Sequence, residues 1–548
     1  MATDILNLFS LEGRTAIVTG ASRGIGWTIA LGLLLPSPAS ANHGWWGWKN
    51  GYYRYIGSQK QLFLDDFIVE STRDLTRSTH QATPYPGNPV MKPDQPWETS
   101  VGLGRYGSVL YDDEEKTFKM WYMLRDQPMG DGEPPAQVMI CYARSRDGVH
   151  WEKPHLGQVE FRGTRDNNIC FGPPRAPTRE EADIDPTLKE AHEKGSRSHL
   201  DGPAVLKDRR ETDPARRYKM LYRGPPALAH YMVNAAFSPD GVHWTPYPAG
   251  INPVIPLRSD TLNNAFWDPS IDRYVALLRM FLSFGADEGR LSSHPDEAGN
   301  LMRIVARSES RDFVNWTPAE VIMTPDTTDG LEHGNLHDME VLPYEGAYLG
   351  FLGVWHQGDW LDKADVQLAF SRDGRKWQRA ADRKPVLAAE NGRAVYLHQA
   401  PVIVDDKIWM YYGMCAKRPW AITTVGLAKI RLDGFVSLDA GPAEGIVVTT
   451  PFKFDGRQLE VNADAADGHI EVEILEYKNA YHSVEVSPIP GFSRQDCRSI
   501  RSDGVRNVVF WRDGCDLSGL RGKTIKLRFS LANAKLYAFQ FVKGQLER

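Results

Sequence analysis

Carboxylates at the starts of β-strands are the residues of this chain best placed to do chemistry. Asp201 opens Asp201-Gly202-Pro203-Ala204, while Asp338 and Glu340 stand in His337-Asp338-Met339-Glu340. Asp65 and Asp66 are adjacent in Gln61-Leu62-Phe63-Leu64-Asp65-Asp66-Phe67. Adjacent strand residues point to opposite faces, so one of these two turns inward, and Asp66 is favoured. Carboxyl groups held close together work as a pair, one giving a proton while the other takes one or attacks as a nucleophile. Asp338 and Glu340 compete for one inward position, with Asp338 ranked first. His337 and His398 fall at equivalent offsets before their strands and can hydrogen-bond ligand hydroxyls. His230, His333 and His356 have no metal-ligand spacing, so neither a metal nor a cofactor is expected. Trp97, Trp267, Trp355 and Trp360 are candidate stacking platforms, of which one or two should serve a ligand.

A repeat organises the elements that must position these groups. Ser145-Arg146-Asp147-Gly148-Val149-His150-Trp151 returns as Ser238-Pro239-Asp240-Gly241-Val242-His243-Trp244 and as Ser371-Arg372-Asp373-Gly374-Arg375-Lys376-Trp377. A variant runs from Ser308 to Trp316, and Arg431-Leu432-Asp433-Gly434-Phe435 reads as a degenerate fifth copy. Asp-Gly makes a hairpin turn and the Trp packs back over it. A strand pair precedes each copy, as in Ser108–Asp112 with Phe118–Tyr122, or Ala204–Asp208 with Tyr218–Tyr222. Five such units of roughly 60–95 residues predict an all-β fold, a five-bladed β-propeller. After Gly441 the motif stops, and alternating segments such as Ile470-Glu471-Val472-Glu473-Ile474 predict a C-terminal β-sandwich. The expected divisions are 1–50 outside the fold, 51–442 propeller and 443–548 sandwich. Segment 176–198, charged and with two prolines, reads as a loop or short helix over one face.

Composition narrows the partners. Lys plus Arg is 64 against 70 Asp plus Glu, a net charge of −6, which gives no electrostatic footprint for nucleic acid or anionic lipid. No run of 18 apolar residues occurs to span a membrane. Of five cysteines, only Cys497 and Cys515 lie close enough to invite pairing. Thr15-Ala16-Ile17-Val18-Thr19-Gly20-Ala21-Ser22-Arg23-Gly24-Ile25-Gly26 resembles the opening of short-chain dehydrogenases. No second βα unit follows it, so dinucleotide binding is not expected. The apolar run Trp27–Leu35 followed by Ala39-Ser40-Ala41 resembles a signal segment, read either as a long signal peptide or as a gene-model or fusion remnant joined to a secreted enzyme, and secretion is the expectation. Asn315-Trp316-Thr317 is then a glycosylation sequon.

Segments 61–67, Asn88-Pro89-Val90, 371–377 and 432–438 resemble the furanosidase-type glycoside hydrolases of families thirty-two, forty-three and sixty-eight. The resemblance covers about 58–548. It implies carboxylate acid/base cleavage of a terminal, furanoside sugar in an axial funnel, with an oligosaccharide or polysaccharide as partner. Asp201-Gly202-Pro203 is similar to the acidic-Gly-Pro motif of family forty-three, which makes Asp201 the first candidate. Arg105 and Tyr106 stand where the families carry an Asp, so Asp66 or Asp65 is expected to replace it. The expected catalytic set is Asp66, Asp201, Asp338 and Glu340, with Asp65, Arg105, His337 and His398 binding substrate. A phosphorylase or transglycosylase, with Arg105 suited to phosphate, and a non-catalytic carbohydrate-binding propeller are the alternatives.

Overall fold

In a computed structural model of the chain, the described residues are 53–98, 103–126, 137–172, 200–224, 232–248, 250–259, 262–283, 301–329, 334–356, 363–380, 382–389, 394–415, 423–480 and 483–543. These residues form β-strands joined by turns and short 3₁₀ segments. The expectations for 1–50, for 176–198 and for Trp360 lie outside them.

Five antiparallel sheets follow one another along the chain. The first joins Leu103–Asp112, Thr117–Asp126, Gln137–Ser145 and Ile169–Phe171; the second runs from Asp201–Lys207 to Thr245–Pro246, with Ile255–Arg258 added to its third strand. The third runs from Asn264–Asp268 to Glu320–Met323, and the fourth from Gly334–Tyr344 to Trp377–Arg379, with Pro385–Leu387 added. In the fifth, Val395–Leu397 and Val402–Val404 both pair with Lys407–Cys415, which pairs with Thr423–Arg431. Second strands read as continuous apolar runs because neighbours cover both faces: Met120, Trp121, Tyr122, Met123 and Leu124 are all buried.

Four copies of the repeat close the same hydrogen-bonded turn. Ser145 Oγ accepts from the amides of Asp147 and Gly148, and Asp147 Oδ1 accepts from those of Val149 and His150. The pattern recurs around Ser238, Ser310 and Ser371. Gly148, Gly241 and Gly374 have φ of 73°, 81° and 69°, the left-handed region that glycine enters without cost. In the third copy Phe313 takes φ 66° instead, and its buried ring packs edge-on against Tyr274. The degenerate fifth copy has no Ser; its Asp433 is buried and accepts from Lys60, Tyr344 and Asn462.

Successive sheets are joined by one recurring contact. A Tyr at the start of a second strand donates to the Asp that ends the preceding sheet's first strand: Tyr218 to Asp112 (2.6 Å), Tyr274 to Asp208 and Tyr348 to Asp268 (2.7 Å). The first strands also lie against one another, and those of the fifth sheet return to the first. Ser108 Oγ donates to the Pro203 carbonyl at 2.6 Å, and Gln399 Nε2 reaches the carbonyls of both Val205 (2.9 Å) and Ala265 (3.1 Å). Where these strands finish, all five sheets line one cavity of about 440 Å³.

The chain before the first sheet completes the fifth: Thr83–Pro84 pairs with Thr423–Arg431. The Asn88 side chain continues that edge, accepting from Leu427 N and donating to Leu427 O. Asn252 does the same with Ala235 in the second sheet, so Asn-Pro-Val is architectural here.

The remaining strands form a seven-stranded and a six-stranded sheet. Phe63, Phe452, Phe454, Phe529, Phe539 and Phe541 share their core. The boundary expected at 442 needs correction: Arg54–Gly57, Gln61–Leu62, Val69–Arg73, Thr76–Thr79 and Val436–Ala440 all pair within these two sheets. Cys497 and Cys515 remain free thiols, their sulfurs accepting from Val472 N and Gln458 Nε2.

Candidate active site

The polar residues gather where the first strands begin. Three of these strands are irregular there: register shifts fall between Leu103 and Gly107, between Asp201 and Ala204, and between Leu336 and Asp338. A bulge re-aims side chains that strict alternation would send elsewhere. Gly104 (φ 71°) and Gly202 (φ 60°) adopt the backbone these bends require.

Asp338, His337 and Tyr106 form a hydrogen-bonded chain. His337 Nδ1 lies 2.7 Å from Asp338 Oδ2, and the Tyr106 hydroxyl lies 3.3 Å from His337 Nε2. All three residues are buried. Burial lowers the imidazole pKa to about 4 against the opposing pull of Asp338, so the ring is neutral at pH 7. In the tautomer that satisfies both contacts, Nδ1–H donates to Asp338 and Nε2 accepts from Tyr106. The other Asp338 oxygen fits because residue 353 is glycine; a Cβ there would stand 2.2 Å from it.

Glu340 is fully buried, and neither carboxylate oxygen has a hydrogen-bond partner. Desolvation first, and then the charge of Asp338, push its pKa well above the usual carboxylate range. The expectation that Asp338 and Glu340 exclude one another is therefore corrected. Two residues apart on one strand, they share a side, and each resists ionisation of the other.

Asp201, on the second sheet, is near enough for its charge to act on Tyr106 and Arg105. Its Oδ2 accepts from Arg223 Nη1 at 3.1 Å, while Oδ1 is buried without a partner. Arg105 donates to the Tyr396 hydroxyl at 3.0 Å, its guanidinium 4.4 Å from that ring's centre and 5.3 Å from that of Tyr106. Burial alone would lower the Arg105 pKa, but Tyr106, Tyr396 and Asp201 together raise it. Arg279 donates to the His337 carbonyl, and Arg303 donates to Asn335 Oδ1 while lying 4.5 Å from the Trp355 ring centre. His398 donates through Nε2 to the Gly104 carbonyl at 2.8 Å, and burial lowers its pKa to about 4. It is a strut: its ring packs on Gly107, where a Cβ would come within 3.0 Å.

Asp65 and Asp66 do not join this site. Asp65 is held by Arg372, and Asp66 is a surface group 74% exposed beside Arg77. The reason is topological, since the segment carrying them belongs with the two outer sheets. On the first sheet, Arg105 and Tyr106 stand at the site, and the one carboxylate of the strand Leu103–Asp112 lies at its other end. Of the candidate platforms, Trp355 lies at the site beside His337, Trp97 is buried against Asn168, and Trp267 stacks under Arg210 by the opposite cavity. His356 is bound to Asp365 on the fourth sheet. Among the described residues no group of three or more His, Cys, Asp or Glu is arranged to hold a metal ion.

Sequence reasoning overlooked Arg223, Arg279, Arg303 and Tyr396. For Arg223 and Arg279 the available signal was a charged residue within an otherwise apolar second strand, as in Tyr218-Lys219-Met220-Leu221-Tyr222-Arg223; Arg303 and Tyr396 lie on a third and a first strand and left no such signal.

No protein-family profile and no curated sequence matches the chain. Among solved structures it is similar to one described as a glycoside hydrolase, at 11% identity and a TM-score of 0.43, covering 64% of this chain and 92% of that one. It is also similar to a β-1,2-mannobiose phosphorylase from Listeria innocua, at 11% identity and a TM-score of 0.42, covering 64% and 96%. A GH32 β-fructofuranosidase from Bombyx mori aligns over 85% of this chain and 94% of its own, at 12% identity and a TM-score of 0.37. At such identities and scores, chemistry has to be read from this chain's own side chains.

Proposed function

We propose that the chain is a glycosidase that cleaves a terminal sugar between Asp201 and the Asp338–Glu340 pair. In this reading the five sheets are blades of one propeller, and the two outer sheets are an appended sandwich. The observation that carries it is the contrast between carboxyl groups gathered at one end of the first strands. Glu340 is kept protonated by burial, whereas Asp201 is held beside Arg223 with one oxygen unengaged. A buried carboxyl group with a raised proton affinity suits the acid, and a carboxyl with an unengaged oxygen beside an arginine suits the base. The protonated pair gives its proton to the leaving oxygen as the glycosidic bond breaks. Asp201 takes a proton from the water that attacks the anomeric carbon, and exchange with solvent resets both groups. The family resemblance adds the expectation of a furanoside.

A panel of nitrophenyl furanosides and pyranosides, with product stereochemistry followed by NMR, tests this. Asp201→Asn keeps the volume and removes the base, so turnover should fall by about 10² or more while the fold survives. Undiminished turnover in the folded variant refutes the assignment.

A further inference from the structure

The cavity where the first strands finish is built differently from the carboxyl site. At about 440 Å³ it has the size of a small-molecule site, and all five sheets line it. Strand pairing sets Tyr111, Lys207, Trp267 and Pro343 opposite Phe118, Tyr218, Tyr274 and Tyr348. The residues just before the first four are Leu110, Leu206, Phe266 and Leu342. They hold equivalent places on four sheets, are partly exposed, and line the cavity. One residue further back, Val109, Val205, Ala265 and Val341 are buried and line it too. The charged residues at this end are already engaged: Lys207 lies against Asp112, Arg209 against Asp113, and Arg210 over the Trp267 ring.

Two neutral polar side chains interrupt the apolar lining. Asn264 and Gln399 are 1% and 6% exposed. One end of each amide is fixed to the frame: Asn264 Oδ1 accepts from Val341 N at 3.2 Å, and Gln399 Nε2 donates to the carbonyls of Val205 and Ala265. The other ends, Asn264 Nδ2 and Gln399 Oε1, are buried and have no hydrogen-bond partner among the described residues. An uncharged donor and an uncharged acceptor therefore stand unmet among apolar walls, a costly arrangement until something meets them. A carboxylate would meet the donor but set its own lone pairs against the Gln399 oxygen, and an ammonium would fail at the donor. A neutral hydroxyl both accepts and donates. Water does so as well, but it leaves the leucine, valine and phenylalanine walls wet, whereas an apolar body covers them.

We propose that this cavity is a second ligand site, which takes a neutral apolar molecule carrying a hydroxyl, a phenol or an aliphatic alcohol. The site stands apart from the glycosidase reading, since neither Asn264 nor Gln399 has a part in acid–base cleavage. The probes are 4-propylphenol, its methyl ether 4-propylanisole, propylbenzene and 4-propylbenzoate. Binding is measured by calorimetry, independently of turnover.

Two neutral hydrogen bonds predict about tenfold or tighter binding of the phenol over propylbenzene. The ether, which only accepts, should fall between them, and the anionic benzoate should bind most weakly. Asn264→Leu should cut the preference for the phenol several-fold, and Gln399→Met gives the same reading if Asn264→Leu does not fold. Leu206→Trp, or Leu342→Trp on the fourth sheet, fills the mouth and should abolish binding. The absence of saturable binding by any probe overturns the proposal. So does equal binding of the phenol and propylbenzene, or a preference untouched in both the Asn264 and Gln399 variants. Phenol binding that survives both tryptophan variants lies elsewhere on the protein and overturns it as well.

Discussion

The two ends of the five first strands treat their carboxylates in opposite ways. Where the strands finish, Asp112 accepts from Lys207 and Tyr218 and lies 3.2 Å from Lys119, all with little exposure. Burial would raise its pKa, but Lys207, Tyr218 and Lys119 hold it well below the usual range. Where the strands begin, Glu340 is as deeply buried and has none of this. A carboxylate locked by lysines and a phenol cannot exchange a proton near neutral pH, so it serves to fix one sheet against the next. A buried carboxyl left unpartnered stays protonated and can give that proton away. Burial is common to both ends, and the partners decide the role.

The comparison can be broken most severely at the architectural end. Asp112→Ala leaves Lys119 and Lys207 buried without their main counter-charge, and removing one partner of such a group costs about 3–5 kcal/mol. Glu115 and Glu114 also touch these lysines, so the lower part of that range is expected in urea unfolding. A loss below about 1 kcal/mol would erase the distinction between the ends.

The pH dependence of stability sharpens it next. His337 and His398 fall from 6.5 to about 4 on folding, chiefly by burial. Above pH 6.5 both are neutral in either state and cost nothing. As pH falls from 6.5 towards 4 the unfolded chain takes up their protons first, so stability drops by up to about 3 kcal/mol for each. His398→Gln should remove about half of that slope, and an unchanged slope counts against the burial of His398 as its cause.

Glu340→Gln tests the other end with an effect of the opposite sign at neutral pH. Its raised pKa means that above about 4.5 the unfolded chain ionises while the folded one does not, so this residue weakens the fold at pH 7. The glutamine variant should be more stable at pH 7, with the gain vanishing below about pH 4.5. Thermal unfolding at the two pH values decides it, and a destabilised variant at pH 7 would contradict the unpartnered state of the carboxyl. Smallest of all, Asp66→Asn should leave turnover unchanged and stability within about 0.5 kcal/mol, as for an exposed ion pair. A large loss of turnover would return Asp66 to the site.

What the chain reveals before folding follows the same division. The Ser-x-Asp-Gly turn is readable because its hydrogen bonds are local, within three residues, and leave a fixed spelling. Strand pairs are readable from their apolar runs. Asp201, Asp338 and Glu340 could be picked out because they are acidic residues beside those runs. Asp66 misled because nothing local says which sheet a strand joins, and its segment crosses to partners more than three hundred residues later. The arginines were hidden for a related reason: bulges at the strand starts shift the alternation on which a reading of faces depends.

The pairing of Thr83–Pro84 with Thr423–Arg431 has a consequence for how the protein is made. A nascent chain exposes the first of these segments early and must wait for four intervening sheets to emerge before the fifth sheet can gain its outermost strand. The segments from Arg54 to Thr79 wait longer still, for strands that end at Val542. Such long-range closures slow folding and leave open strand edges exposed during synthesis. A truncated product lacking the last hundred residues would strand Arg54–Gly57 and Gln61–Leu62, whose partners are Phe452–Phe454 and Ala534–Val542. The five sheets and the two outer sheets therefore cannot be produced as two independent pieces by one cut near residue 442, because segments between Arg54 and Thr79 and strands reaching Val542 share the same two sheets.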